Sequence, residues 1–175
     1  EQGTLHGPVI GTVMSNLGLE TLLAKHNIGF ERAAVGDRYI YERMVKTGST
    51  LGGEPSGHVL LPQLTRSGDG LIAALQILSV ICRTGKPASE LLSCFIPVPQ
   101  RLVNLRDINM AVLSDKRVTA QVAEIEAELG GQGRVLLRPS GTEPLIRVMV
   151  EAVDKARLDA AMDKLVTVLK AASQE

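Results

Sequence analysis

Tryptophan is absent from this 175-residue sequence, and its aromatic side chains are only Phe30, Tyr39, Tyr41 and Phe95. That scarcity excludes the stacking platforms that nucleic-acid bases need and the aromatic floors of many carbohydrate-binding modules. A sugar bound here must be held by polar groups. Excess charge is missing too: 19 basic and 19 acidic side chains give a formal net charge of +0. Nucleic acid and anionic membrane both call for a positive surface, so neither is an expected partner. Cys82 and Cys94 are the only cysteines, spaced unlike any zinc motif and too few for a disulfide framework. Cys82 lies in an apolar helical run and is expected to be a small buried hydrophobe. No stretch approaches about 18 uninterrupted apolar residues, and Glu1-Gln2-Gly3-Thr4 is not a signal peptide, so a reducing, cytoplasmic setting is expected. No Asp-x-Asp cluster offers the gathered oxygen ligands of a metal loop.

What is present is enough apolar content for a core, 45% against 22% charged. The length suits one large domain or two small ones. Residues 9–14 are β-rich, and residues 16–26 carry leucines at helical spacing. A second strand is expected over 30–35, and a helix over 37–47, capped by Asp37 and ended near Gly48. Two short strands, 51–54 and 58–61, bracket a Gly/Pro/Ser turn, and Asp69 can cap a long apolar helix over 70–83, with a shorter helix after Pro87. Alternating strands and helices imply a mainly parallel α/β layer over residues 1–94. Residues 95–99, Phe-Ile-Pro-Val-Pro, read as a linker, because two prolines so close continue neither a helix nor a central strand. From 100 to 175 the pattern becomes strand (102–105), helix (115–129), strand (134–138), strand (145–152), helix (156–171). That order suits a small α+β domain, an antiparallel sheet with helices on one face. Glu124, Glu126 and Glu128 read as a solvated helix face.

The strongest chemical signal is Arg138-Pro139-Ser140-Gly141-Thr142-Glu143-Pro144, followed by Arg147, in the turn between two strands. A phosphate dianion needs convergent donors. Arginine supplies a charged fork, Ser140 and Thr142 supply hydroxyls, and Gly141 lets backbone N–H groups approach the oxygens. Each charged hydrogen bond is worth about 1.5–3 kcal/mol, so three or four give useful affinity. An ordinary hairpin turn would use some of the same residues. A second candidate is Gly53-Glu54-Pro55-Ser56-Gly57-His58, where Glu54, Ser56 and His58 alternate and in extended backbone share one face. Carboxylate, hydroxyl and imidazole together can grip sugar hydroxyls or an amine. No Gly-Lys-Ser/Thr follows, so this is not a Walker loop. Asp37-Arg38 is the third, at a strand-to-helix junction where α/β ligand clefts lie.

Together these segments, with Gly36-Asp37-Arg38-Tyr39 preceding Gly53–His58 and Arg138–Arg147 in order, resemble the phosphohexomutases. The resemblance is strongest to the bacterial branch that interconverts glucosamine 6-phosphate and glucosamine 1-phosphate for UDP-N-acetylglucosamine and cell-wall synthesis. It implies most of the family's third domain followed by its fourth, hence a partial α/β domain and a complete α+β one. It also implies that Glu54 and Ser56 hold sugar hydroxyls or the substrate's amine, that His58 shapes that loop, and that Asp37 and Arg38 border the cleft. Arg138, Ser140, Gly141, Thr142 and Arg147 would bind the phosphate that is not being transferred. Pro55 stands where relatives carry an amide, removing a donor from the loop. The family's phosphoserine loop and its magnesium-holding Asp-Gly-Asp-x-Asp-Arg loop do not occur in these 175 residues. The resemblance therefore implies Mg2+ in the full-length enzyme but none on this chain, no catalytic nucleophile here, N-terminal domains elsewhere in the same polypeptide as partners, and an inactive fragment. A glucose or mannose phosphate mutase, a free-standing sugar-phosphate-binding module and an oligomeric state all stay open on sequence alone.

Overall fold

The structure, a computed structural model, describes residues 3–141 and 143–174. It divides into two compact units, Glu1–Pro97 and Val98–Glu175. No helix among the described residues is long and apolar enough to cross a membrane.

The first unit runs β1 (Val9–Thr12), α1 (Leu17–Lys25), β2 (Phe30–Ala33), α2 (Asp37–Thr47), β3 (Gly52–Gly53), β4 (Val59–Leu60), α3 (Gly70–Thr84) and α4 (Ala88–Leu91). Its sheet has the order β2-β1-β3-β4, parallel except for the antiparallel β3–β4 hairpin. Local chemistry sets the helix ends. Asn16 accepts from the Gly18 N–H to start α1, and Asp69 accepts from Leu71 and Ile72 to start α3. Gly48, at φ 68, ends α2. The core is small: Ile10, Ala33, Ile40, Met44 and Leu60, with Tyr41 packed against it. Ile40 and Met44 bring α2 down on β3, and each fully buried apolar side chain contributes about 1.5–3 kcal/mol. Gly52 makes that approach possible, because a Cβ there would sit 2.7 Å from Ile40 Cγ2 and 2.8 Å from Met44 Sδ.

Two expectations fail in this unit. Asp37 does not cap α2: the N-cap is Gly36, at φ 123 and without a side-chain bond, and Asp37 is the first helical residue. Its carboxylate has a better partner in His58, which the hairpin brings alongside. Cys82 is exposed rather than buried. Helix α3 gathers Gln76, Ser79 and Arg83 on one side and is apolar over the rest, so apolar neighbours in sequence do not say which of its apolar sides is covered. Leu71, Leu75 and Leu78, on the same stripe as Cys82, are also exposed.

The second unit runs β5 (Gln100–Arg106), a 3-10 turn (Met110–Ser114), α5 (Lys116–Leu129), a 3-10 turn (Gly130–Gln132), β6 (Gly133–Pro139), β7 (Leu145–Ala152) and α6 (Lys155–Ser173). The sheet is antiparallel with β7 central, in the order β5-β7-β6. Period-two alternation sends Ile146, Val148, Val150 and Ala152 into the core, where Val118, Ile125, Leu129, Leu158, Met162, Leu165 and Leu169 of the two long helices meet them. Asp115 and Asp154 cap those helices, accepting from Arg117 N at 2.7 Å and Arg157 N at 2.8 Å. Glu124, Glu126 and Glu128 are exposed, and Glu128 also accepts from Lys164 Nζ at 2.8 Å. On the opposite face of β7, Glu151 is fully buried and paired with Arg134 at 2.5 Å.

Candidate functional site

In the second unit the register of the β6–β7 ladder decides what the turn can bind. Arg138 lies directly opposite Arg147, and Asn104 of β5 lies opposite Arg147 on its other side. One row across the sheet thus carries an amide and two guanidinium groups, on the face away from the helices. The turn is closed by Ser140 N donating to Leu145 O at 2.9 Å and Leu145 N to Glu143 O at 2.8 Å. Arg147 Nη2 reaches Ser140 Oγ at 3.4 Å. Glu143, the only acid of the loop, is committed elsewhere, accepting from Arg106 Nη2 at 2.9 Å. The Nε groups of Arg138 and Arg147 are both buried and make no hydrogen bond. A buried donor left unmade costs about 1–3 kcal/mol, more when charged. Burial, followed by the charge of Arg147, pushes the Arg138 guanidinium below its ordinary pKa. Two like charges side by side with unmet donors are an anion-binding arrangement. Gly141 has open space around its Cα, so backbone can approach a ligand there. Thr142 lies outside the described residues. Asn104 escaped the sequence reading, because only strand register places an amide 43 positions away beside Arg147.

In the first unit, residues 54–57 form a turn rather than extended backbone, with Glu54 N donating to His58 O and Gly57 N to Glu54 O, both at 3.0 Å. The expected trio still converges, by a different route. Ser56 Oγ donates to Glu54 Oε1 at 2.8 Å, and His58 Nδ1 lies 3.8 Å from the same oxygen. Pro55 is exposed at the turn. Asp37 then completes the group: its Oδ1 is 2.9 Å from His58 Nδ1, across 21 residues of sequence. A carboxylate can only accept, so His58 holds its proton on Nδ1 and presents Nε2, a lone pair when neutral and a donor when charged. The hydrogen bond to Asp37 and then the Asp37 charge raise the His58 pKa, against a smaller lowering by burial and a further lift from Glu54. Asp37, Glu54 and His58 offer ligand atoms that all lie within 4.8 Å of one another. Arg38 does not join them, since its Nε donates to Glu42 Oε1 at 2.8 Å on the solvated side of α2. Gly68 escaped the sequence reading as a site residue: a Cβ there would stand 2.9 Å from Asp37 Oδ2. Beside the loop, Gly53, Glu54, Pro55 and His58 border a largely apolar cleft of about 380 Å3.

Comparison with known proteins assigns both units to one family. The family described as "Phosphoglucomutase/phosphomannomutase, alpha/beta/alpha domain III" matches residues 1–98, and its C-terminal domain matches residues 99–168. The phosphoglucosamine mutase of Novosphingobium aromaticivorans is 50% identical over 167 residues, covering 95% of this chain and 38% of that protein. That of Methylococcus capsulatus is 52% identical over 165 residues, covering 94% of this chain and 37% of its own length. The chain therefore spans less than two fifths of these relatives. Among solved structures, Aspergillus fumigatus N-acetylphosphoglucosamine mutase in complex with GlcNAc-6P and magnesium superposes with a TM-score of 0.80 at 17% identity, covering 98% of this chain and 40% of that one. A Burkholderia thailandensis phosphoglucomutase/phosphomannomutase family protein gives 0.70 at 21% identity, covering 95% of this chain and 38% of that one. At these identities the structural likeness speaks for the fold, while the two matched domains cover nearly every residue. With domain III preceding the C-terminal domain in one chain, this protein belongs to the phosphoglucomutase/phosphomannomutase family.

Proposed function

We propose that this chain is the sugar- and phosphate-binding part of a phosphoglucosamine mutase, an isomerase interconverting glucosamine 6-phosphate and glucosamine 1-phosphate. The observation that carries the reading is the pair of buried, unmet Nε donors on Arg138 and Arg147 in the turn of the second unit. A phosphate satisfies both donors and offsets the repulsion between the two guanidinium groups. Identity near 50% to named phosphoglucosamine mutases supports the amino sugar as substrate.

In the whole protein, a sugar oxygen attacks the phosphorus of a phosphoserine. The serine–phosphorus bond breaks and a sugar bisphosphate forms. After the bisphosphate turns over, the serine oxygen takes the other phosphoryl group and the isomeric monophosphate leaves. Under this reading the chain contributes binding and not the nucleophile. Arg138, Ser140, Gly141, Thr142 and Arg147 hold the phosphate that is not being transferred. Glu54 and Ser56 accept and donate to sugar hydroxyls, with His58 and the Asp37–Arg38 turn shaping the same loop. Residues 1–94 are the sugar-binding domain and 100–175 the phosphate-binding domain, with 95–99 as their linker.

Magnesium, when bound, neutralises charge on a transferring phosphoryl group. The cluster of Asp37, Glu54 and His58 does not fit that ion, which prefers an all-oxygen octahedron, and its imidazole is already hydrogen-bonded to Asp37. No step is assigned to magnesium on this chain.

Calorimetric titration with glucosamine 6-phosphate tests the reading. Binding is expected to the unaltered chain and to Arg157→Gln, and to be lost in Arg147→Gln. No binding, or equal loss in both variants, sinks it. Mutase turnover by the 175 residues alone would overturn the division of roles.

A further inference from the structure

We propose that Asp37 selects an amino sugar over a neutral one, its carboxylate taking the protonated amine of the substrate. The inference rests on the reading of residues 53–58 as the sugar loop, and goes beyond it by naming a specificity residue on a different element.

Three observations carry it. First, the fold delivers an acid to the loop from outside: Asp37 opens α2, yet lies 2.9 Å from His58 on the β3–β4 hairpin. Second, the two carboxylates of the group are not equivalent. The Glu54 side chain is only 10% exposed and one of its oxygens is held by the Ser56 hydroxyl, whereas Asp37 is 35% exposed. Asp37 spends Oδ1 on His58, and Oδ2 lies over Gly68, where a Cβ would stand 2.9 Å away. That leaves Asp37 an accessible oxygen with acceptor capacity. Third, the charges do not balance. Two carboxylates face one imidazole, and the arginine next in sequence is turned outward onto Glu42. The group carries one net negative charge with His58 protonated and two with it neutral.

A hydroxyl compensates none of that charge. An ammonium group brings one positive charge and three donors, and a charge-assisted hydrogen bond is roughly twice as strong as a neutral one. The expected discrimination is about tenfold.

The test is a ligand series measured by calorimetry on the unaltered chain at pH 7: inorganic phosphate, glucose 6-phosphate, N-acetylglucosamine 6-phosphate and glucosamine 6-phosphate. The amino sugar is expected to bind about tenfold tighter than glucose 6-phosphate, and the N-acetyl compound, whose nitrogen is neutral, no tighter than glucose 6-phosphate. In Asp37→Asn the preference should fall to within twofold. Equal weakening of both sugars would make Asp37 merely structural and overturn the proposal. So would an unchanged preference in Asp37→Asn, or none in the unaltered chain. The ligand series needs no variant, so the proposal stays testable if Asp37→Asn does not fold. Failure of inorganic phosphate and all three sugar phosphates to bind would instead remove the functional reading itself.

Discussion

Arg138 and Arg147 stand directly opposite one another across the β6–β7 ladder, two buried guanidinium Nε groups with no acceptor. Without an anion this pairing is a cost to the fold. Replacing Arg138 by Met should therefore leave the midpoint of urea unfolding unchanged or raise it slightly in phosphate-free buffer. Added phosphate should stabilise the unaltered chain by about 2.7 kcal/mol at a hundredfold excess over its dissociation constant, and stabilise Arg138→Met far less. A large loss of stability in Arg138→Met without phosphate would show that the arginine is structural.

Arg134 and Glu151 present the contrasting case, a buried pair of opposite charge at 2.5 Å. Arg134→Ala leaves a fully buried carboxylate without its guanidinium partner and should cost about 3–5 kcal/mol. Arg134→Met combined with Glu151→Leu removes both charges and should cost less than the single change. Chemical denaturation of the three proteins measures this, and the opposite ranking would contradict it.

His58 should titrate above its ordinary value of 6.5, and Asp37→Asn should bring it back down. A raised folded-state pKa stabilises the protein while the imidazole is protonated. That contribution is complete below the unfolded value of about 6.5 and is lost as pH rises through the folded value. NMR titration of the His58 ring gives the shift directly. Stability of the unaltered chain relative to Asp37→Asn should decline across the same window, and a flat difference would remove the pair from the account.

Gly52 is fixed by what lies above it. Gly52→Ala drives a methyl into Ile40 and Met44, so α2 must lift from β3, at a cost of about 1–3 kcal/mol. The β3–β4 hairpin carries Glu54 and His58, so sugar-phosphate affinity should fall together with thermal stability. A variant as stable as the parent would mean that α2 yields more easily than its packing suggests.

The second unit was almost wholly legible in sequence. Its strands alternate, its helices are amphipathic, and Asp115 and Asp154 sit where N-caps belong. The five-residue turn Met110–Ser114 was missed because so short a segment carries no periodicity. In the first unit the elements were legible but their sides were not. Asp37 obeyed the rule for a helix start by type and broke it by partner, since nothing in the local sequence announces His58. Glu54, Ser56 and His58 converge as the alternation suggested, yet through a turn in which Gly57 adopts φ 97, not through a strand. Cys82 was misjudged because an apolar run within a helix gives composition without direction, and its stripe, shared with Leu71, Leu75 and Leu78, is an uncovered one.

That helix has one more effect, on how the isolated chain behaves in concentrated solution. Leu71, Leu75 and Leu78 recur at the spacing of a coiled-coil seam, and each exposes more than half of its surface. With no net charge to hold copies apart, such a stripe makes the chain a poor colloid. Light scattering should climb steeply with ammonium sulfate, which strengthens apolar association. Leu71→Lys with Leu78→Glu should restore solubility while leaving the turn between Arg138 and Arg147, on the other unit, untouched.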